Sequence, residues 1–148
     1  MRANIFSRGK KLKVNSNYFY GKVNLREISS VAMIREAKMY HVFFEKGSRT
    51  KIHFHSGGQT LIVTKGKGRL DFYSKRVKSP NLFKVHKTKQ ISLKVGDVVY
   101  IPPKKLHTHG GIKNYNFSHI AINFKSNDKD PKTLWFDIDS KNIVSKIS

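Results

Sequence analysis

The chain has 148 residues, enough for one domain with its own core. It has no cysteine, which excludes disulfides and thiolate metal sites, and no apolar run near the roughly 18 residues that a membrane-spanning helix needs. The thirty Lys and Arg against nine Asp and Glu give a net charge of +21. The basic segment Met1–Val14 lacks the apolar stretch of a signal peptide, so we expect a cytoplasmic protein with no membrane partner.

The positive charge is concentrated in one part of the chain. Lys65–Lys94 holds ten basic residues and a single acid, Asp71. Such a segment attracts anions, and aromatic residues are interleaved with its lysines. No helix-turn-helix, zinc-finger or RNA-binding pattern accompanies them. We interpret the segment as a lysine-rich solvated surface that binds nucleic acid only non-specifically, if at all.

The periodicity along the chain predicts an all-β fold. Short segments rich in Val, Ile, Phe and Tyr are separated by Gly, Pro, Ser and Asn. The possible helix Leu25–Met39 is interrupted by Arg35, so we predict a strand, a loop and a strand there. Eight short strands at this spacing indicate a sandwich or barrel. The predicted strands are Tyr40–Phe44, Lys51–His55, Thr60–Thr64, Arg69–Tyr73, Gln90–Leu93, Asp97–Ile101, Phe117–Phe124 and Thr133–Ile138.

Histidines carry the chemistry of this sequence. In a strand, residues two apart share a face, so His53 and His55 project together. Gln59 opens the next strand after a glycine turn and brings an amide oxygen alongside. His107 and His109 repeat the spacing of two much later. The remaining histidines are His119, in a strand, and His41 and His86, which we interpret as ordinary residues.

Two or more imidazoles on one face favour a metal site. Imidazole nitrogens with an amide oxygen suit Mn, Fe, Ni, Co, Cu or Zn, whereas Mg or Ca would require carboxylates. A polar barrel interior without a metal stays open as the alternative. For Gln59 the alternative is an amide that is hydrogen-bonded to a neighbouring strand.

The spacing of these residues resembles the two motifs of the cupins. The first motif is matched by Gly47, His53-Phe54-His55, Gln59 and Gly66, and the second by Gly96, Pro102 and His107. Three positions depart from the usual pattern. They are Gln59, where a glutamate ligand is usual, Lys104, where a glycine is usual, and Gly111, where an asparagine is usual.

A longer stretch is similar to one cupin branch, which includes the manganese-dependent bacterial hydroxynitrile lyases and cupins related to carboxymuconolactone decarboxylase proteins. The similarity lies in segments such as Phe44–Thr50, Gly58–Thr64, Gly96–Pro102, His107–Gly110 and Ser118–Ile122. In this branch, glutamine at the position of Gln59 is the normal ligand.

The resemblance implies a single cupin-type double-stranded β-helix, or jelly-roll barrel. Its core would span about residues 18–139, with a basic N-terminal segment at 1–14 and a basic insertion at about 74–92. It implies four metal ligands, His53, His55, Gln59 and His107. The histidines available for proton transfer would be His109 and His119, and the substrate pocket would be lined by Tyr40, Val42 and Asn123. Tyr40 stands where the lyases tend to have a small residue.

The resulting hypothesis is a metal-dependent lyase or isomerase. Three neutral histidines and a neutral amide leave a divalent ion, manganese first and Fe, Ni, Co or Zn otherwise, at a net +2. Such an ion favours anionic oxygen ligands, so we expect a small hydroxy or oxo acid or a cyanohydrin as substrate, with a histidine as base. The alternatives are a non-catalytic module that binds metal or small anions, and an Fe- or Ni-dependent oxygenase. Apolar residues on both strand faces also predict a homodimer.

Overall fold

The computed structural model describes residues 2–80 and 82–147, and strands dominate it. The strands in this part of the chain are β1 (Lys10–Leu12), β2 (Phe19–Tyr20), β3 (Val23–Glu27), β4 (Ala37–Phe44), β5 (Arg49–Thr50), β6 (Ile52–His55), β7 (Gln59–Ser79), β8 (Leu82–Lys94), β9 (Val98–Ile101), β10 (His107–Gly111), β11 (Phe117–Phe124), β12 (Thr133–Ile138) and β13 (Ile143–Lys146). A single turn of 3-10 helix, Ser16–Tyr18, precedes β2. The all-β prediction is confirmed, including the strand, loop and strand over residues 23–44.

The first sheet has the order β1-β3-β4-β11-β7-β9, and all of its neighbours are antiparallel. Alternation along β4 and β11 sends one set of side chains to the interior of the barrel and the other set outward. The inward set of β4 includes Tyr40, Val42 and Phe44. His41, between them, faces a separate hollow on the outside, as we expected. These two strands therefore form one wall of the interior.

Strand β7 connects the two sheets. Its first residues pair with β11 and β9, whereas residues from Lys67 onward pair with β8 and residues from Gly68 to Phe72 pair with β10. The sequence predicted two separate strands, Thr60–Thr64 and Arg69–Tyr73, and this prediction was wrong. The residues between them continue the strand through a bend at Gly66, which has φ +75°. A Cβ there would collide with the carbonyl oxygen of Asn116, so only glycine fits the bend.

The second sheet folds back on itself. Strands β7, β8, β13, β12, β6 and β10 pair in turn, and β10 pairs again with β7, which closes a circuit. The expected basic insertion is the distal half of the β7–β8 hairpin, with Asn81 outside the described residues. The circuit encloses a second apolar core, distinct from the main one, formed by Ile52, Phe83, Val85, Leu106, Phe136 and Val144.

This second core bears on the homodimer that was expected from apolar residues on both strand faces. Ile52 is buried, and Phe54 packs against the same cluster, so the chain itself covers the outer side of the histidine strand. Apolar residues on that face therefore have a partner without a second copy, and the homodimer stays a prediction. In residues 2–80 and 82–147, no helix is long and apolar enough to cross a membrane.

Candidate metal centre

Three histidines from two paired strands converge inside the barrel. His53 and His55 lie on one face of β6, and β10 places His107 directly opposite His53. Each of the three offers a ring nitrogen, and these nitrogens lie within 4.8 Å of one another. The rings of His53 and His107 are 4.2 Å apart between centroids. All three side chains are buried, so the antiparallel pairing itself assembles a compact group of imidazoles.

Hydrogen bonds hold each of the three rings from behind. His53 Nδ1 is 2.8 Å from the carbonyl oxygen of Lys51, and His107 Nδ1 is 2.7 Å from that of Lys105. Since a carbonyl oxygen only accepts, both Nδ1 atoms carry the proton, and each Nε2 has a free lone pair. His55 Nδ1 lies 2.8 Å from Thr133 Oγ1. With Nδ1 engaged on each ring, Nε2 is the nitrogen left to face a ligand.

Gln59 lines the same cavity as His53 and His55 and offers an amide oxygen. Its Nε2 donates a 2.6 Å hydrogen bond to Asn123 Oδ1 on β11. This contact is the inter-strand bond of the alternative interpretation, but it uses only the amide nitrogen. Gln59 Oε1 is buried and has no hydrogen-bond partner. Asn123 therefore fixes the direction in which the amide oxygen points.

The unpaired polar atoms are the strongest feature of the site. Buried polar atoms nearly always find a partner, because an unpaired one costs about 1–3 kcal/mol. Here His55 Nε2, His107 Nε2 and Gln59 Oε1 are buried without one. Gln59 Oε1 and His107 Nε2 offer lone pairs, and His55 Nε2 offers one when its Nδ1–H donates to Thr133 Oγ1. Together they form the donor set of a transition-metal ion and not of an anion. The residues present therefore fit a divalent metal.

Burial keeps these histidines neutral. It lowers the pKa of His55 to about 4 and that of His107 to about 3. For His53, burial and then the neighbouring His107 and His55 lower the pKa well below its usual value. Neutral imidazole is the form that binds a metal, so the rings need lose no proton at neutral pH.

His109 and His119 form a pair beside the three histidines. His119 Nε2 and His109 Nδ1 are 2.9 Å apart, so one ring donates an N–H to the other. Burial lowers the pKa of both rings, that of His119 to about 3. Phe44 contacts both, at 5.8 and 5.4 Å between centroids. Because Nδ1 of His109 is engaged, Nε2 is its nitrogen left for a ligand.

A cavity of about 220 Å³ opens onto this group. Eight of the nine site residues named from the sequence line it, Tyr40, Val42 and Asn123 among them, and His107 does not. Among the described residues, no Lys, Arg, Asp or Glu lines it. His86, by contrast, is exposed on β8, far along the hairpin.

Two further residues were missed in the sequence. Thr133 and Trp135 lie on one face of β12, opposite His55 and His53 in register. The Trp135 ring stacks on His53 at 4.2 Å and, on its other side, on Tyr18 at 4.6 Å. The spacing of two along the predicted strand Thr133–Ile138 showed that they share a face. It carried no information on which strand they would pair with.

The jelly-roll barrel with a histidine-lined interior defines the class of protein. The sequence profile of the cupin family matches residues 23–142, and the chain belongs to that family. A cupin-like protein from Thermotoga maritima is 36% identical, with a TM-score of 0.62 over 89% of this chain and 87% of that one.

Two other similar proteins have names that state a reaction. (R)-mandelonitrile lyase from Granulicella tundricola is 37% identical over 81 residues, or 55% of this chain. The match spans 52% of that lyase, about half of its length. A predicted oxalate decarboxylase from Thermotoga maritima has a TM-score of 0.62 over 85% of this chain and all of its own, at 16% identity, which is a likeness of fold.

Proposed function

We propose that this cupin is a metal-dependent lyase or isomerase that acts on a small hydroxy or oxo acid or a cyanohydrin-like substrate. Its metal ligands would be His53, His55, Gln59 and His107, with manganese as the first candidate and Fe, Ni, Co or Zn as the others. The proposal rests chiefly on the unpaired buried atoms Gln59 Oε1, His55 Nε2 and His107 Nε2, which lie beside a cavity that also holds a histidine pair. The partial match to a mandelonitrile lyase supports the reaction class.

A divalent ion held by these residues supplies Lewis acidity, which lowers the pKa of a hydroxyl group and stabilises negative charge on oxygen. The chain supplies the rest. Since no Lys, Arg, Asp or Glu among the described residues lines the cavity, no permanently charged side chain there competes with the metal for an anionic substrate. The neutral Gln59 adds no negative charge, whereas a glutamate there would reduce the net charge of the site by one unit.

The histidine pair can move a proton. When His109 Nδ1–H donates to His119 Nε2, the Nε2 lone pair of His109 is free to take a proton from a substrate hydroxyl. The positive charge that results is stabilised by His119, which accepts the hydrogen bond at 2.9 Å. His109 would return the proton to the leaving group or to the product carbon. In this scheme His109 touches the substrate and His119 acts through it.

The apolar half of the cavity selects the substrate's carbon skeleton. Tyr40, Val42, Ala121, Phe19 and Trp135 line it. These walls leave room for a compact aromatic or branched aliphatic group. Tyr40 projects a bulky ring from β4, so we expect this chain to prefer smaller substrates than a homologue with a small residue there.

The experiment is turnover of a cyanohydrin such as mandelonitrile, and of small hydroxy and keto acids, by the manganese-loaded protein. We expect His109→Ala to keep its metal and to lower kcat about 100-fold, because a positioned general base typically contributes at least that factor. His86→Ala removes a histidine from the exposed hairpin and serves as the matched control.

Turnover and binding together distinguish an enzyme from a binding module. If His109→Ala turns over substrate as fast as wild type at equal metal content, His109 is not the base. If the loaded wild-type protein turns over none of these substrates but binds one of them in the cavity, the function is binding and the proposal of catalysis is wrong.

A further inference from the structure

A second polar cluster lies on the outer side of strand β10, away from the histidines. Thr108 stands between His107 and His109 and therefore faces the opposite way. Directly across from it on β7 is Asp71, which is only 1% exposed. Three cations from three strands surround this carboxylate, Arg49 from β5, Arg69 from β7 and Lys87 from β8.

The cluster carries more positive charge than its one carboxylate can neutralise. Arg69 reaches Asp71 with Nη2 at 3.0 Å and with Nε at 3.1 Å from both oxygens. Lys87 Nζ follows at 3.3 Å, and Arg49 Nη2 is the most distant at 3.5 Å. Three cations and one anion leave a local charge of +2. The other acid with a salt bridge in the described residues, Asp137, pairs with Lys51.

Of the three cations, Arg49 makes the longest contact with Asp71. Its side chain is 17% exposed, and its other contacts are the carbonyls of Gly110 and Arg69 and the Thr108 hydroxyl, at 3.2–3.3 Å. Burial, and then the neighbouring Arg69, lower the pKa of Arg49 to about 10, against the opposing effect of Asp71. Burial and Arg69 thus destabilise the positive charge of Arg49, and a further anion nearby would stabilise that charge.

There is room for such an anion. The cluster borders a hollow of about 140 Å³, lined by Arg49, Arg69, Asp71, Thr108, Tyr20 and Tyr73 among others. Guanidinium groups bind oxyanions with paired N–H donors, and hydroxyl groups from threonine and tyrosine add further donors. A hollow with excess cations and hydroxyl donors has the chemistry of an oxyanion site.

We propose that this hollow binds a small oxyanion, a phosphate or carboxylate group, through Arg49, Arg69 and Thr108. The site is separate from the cavity on the other face of β10 and does not depend on the proposed reaction. Asp71 holds the two guanidinium groups in place, and Lys87, which does not line the hollow, adds positive charge through its contact with Asp71.

The test is calorimetric titration of inorganic phosphate into the full chain at constant ionic strength. We expect one phosphate per chain, and Arg49→Gln should weaken binding at least tenfold, because a hydrogen bond to a charged group is lost. Lys89→Gln is the matched control, since it removes an exposed charge from β8 outside the hollow. It should change the affinity less than twofold. If both variants weaken binding equally, phosphate is attracted only by the net charge and the proposal is wrong.

A second variant covers the case in which Arg49→Gln does not fold. Thr108→Val keeps the ion pairs and the β-branched shape, and we expect it to weaken phosphate binding about threefold to fivefold. Wild-type affinity in Thr108→Val would overturn the assignment of the site. A parallel titration with malonate identifies the source of the oxyanion. Binding of malonate that is lost in Arg49→Gln points to carboxylates, whereas binding of phosphate alone points to phosphate groups.

Discussion

The two faces of strand β10 differ in what they lack. On the inner face, His107 belongs to a group of buried lone pairs with no hydrogen donor or cation among the described residues to satisfy them. On the outer face, Thr108 borders a hollow in which three cations share one carboxylate. The donor atoms of the inner site fit a cation, and the outer hollow is the proposed site of an anion. Simple strand alternation thus places two sites of opposite electrostatic character back to back.

The largest effect should come from removing a ligand on the inner face. A metal that binds only the folded protein stabilises it by about 2.7 kcal/mol at a concentration 100 times its Kd. For a chain of this size that corresponds to about 5–10 °C in Tm. We expect manganese to raise the Tm of wild type by this amount and to leave His107→Ala unchanged, as measured by calorimetry. An equal rise in the Tm of both proteins would show that His107 is not a metal ligand.

The metal-free protein should lose stability in mild acid. Burial lowers the pKa values of His55, His107 and His119 below 6.5, so the unfolded chain binds protons that the folded chain does not. The stabilisation is complete above pH 6.5. It is lost as the pH falls toward about 4 for His55 and about 3 for His107 and His119. Below pH 6.5, the free energy of unfolding should fall by about 1.4 kcal/mol per pH unit for each such histidine. Urea unfolding between pH 7 and 5 tests this, and a flat profile would contradict it.

The charge of the inner site can be changed without changing its shape. Gln59→Glu adds a negative charge, so we expect about tenfold tighter binding of manganese and a lower kcat, because the ion becomes less electrophilic. The new carboxylate would face Asn123, which must present its amide nitrogen instead of Oδ1. Competition with a fluorescent chelator measures the affinity. Weaker binding in Gln59→Glu would show that the amide oxygen does not point at the metal.

Thr133 should act by positioning His55. Removal of the Oγ1 that contacts His55 Nδ1 in Thr133→Val should weaken metal binding about tenfold. Thr133→Ser keeps the hydroxyl group and should bind metal with the affinity of wild type. The same chelator assay applies, and identical affinities for the Val and Ser variants would mean that the hydroxyl has no positioning role.

The smallest effect tests whether the two faces are independent. Arg49→Gln changes the outer hollow, and we expect its metal affinity to stay within about threefold of wild type, since the two sites share no side chain. A larger change would show that the ion pairs behind β10 also set the geometry of the inner face.

Much of the inner site was predictable because its signals are local. Alternation placed His53 and His55 on one face, and the cupin spacing joined them to Gln59 and His107. The all-β class followed from short apolar segments between turns. Alternation and turn signals depend on residues within a few positions of one another, whereas the link to His107 came from the resemblance to the cupin motifs.

The remaining features depend on pairing that the sequence does not show. The contacts of His55 with Thr133 and of His53 with Trp135 require β12 to lie beside β6. The outer hollow requires β5, β7, β8 and β10 to be neighbours. β1 and β13 are short and lie in segments where charged or polar residues hide the alternation, and residues 143–146 fell outside the expected core.

Metal content tests the central claim most directly. After loading with manganese and extensive dialysis, elemental analysis of wild type and of His86→Ala should give about one equivalent of metal per chain. His53→Ala should give none above background. The account is contradicted if His53→Ala retains the wild-type equivalent, or if wild type retains no Mn, Fe, Ni, Co or Zn under any loading condition.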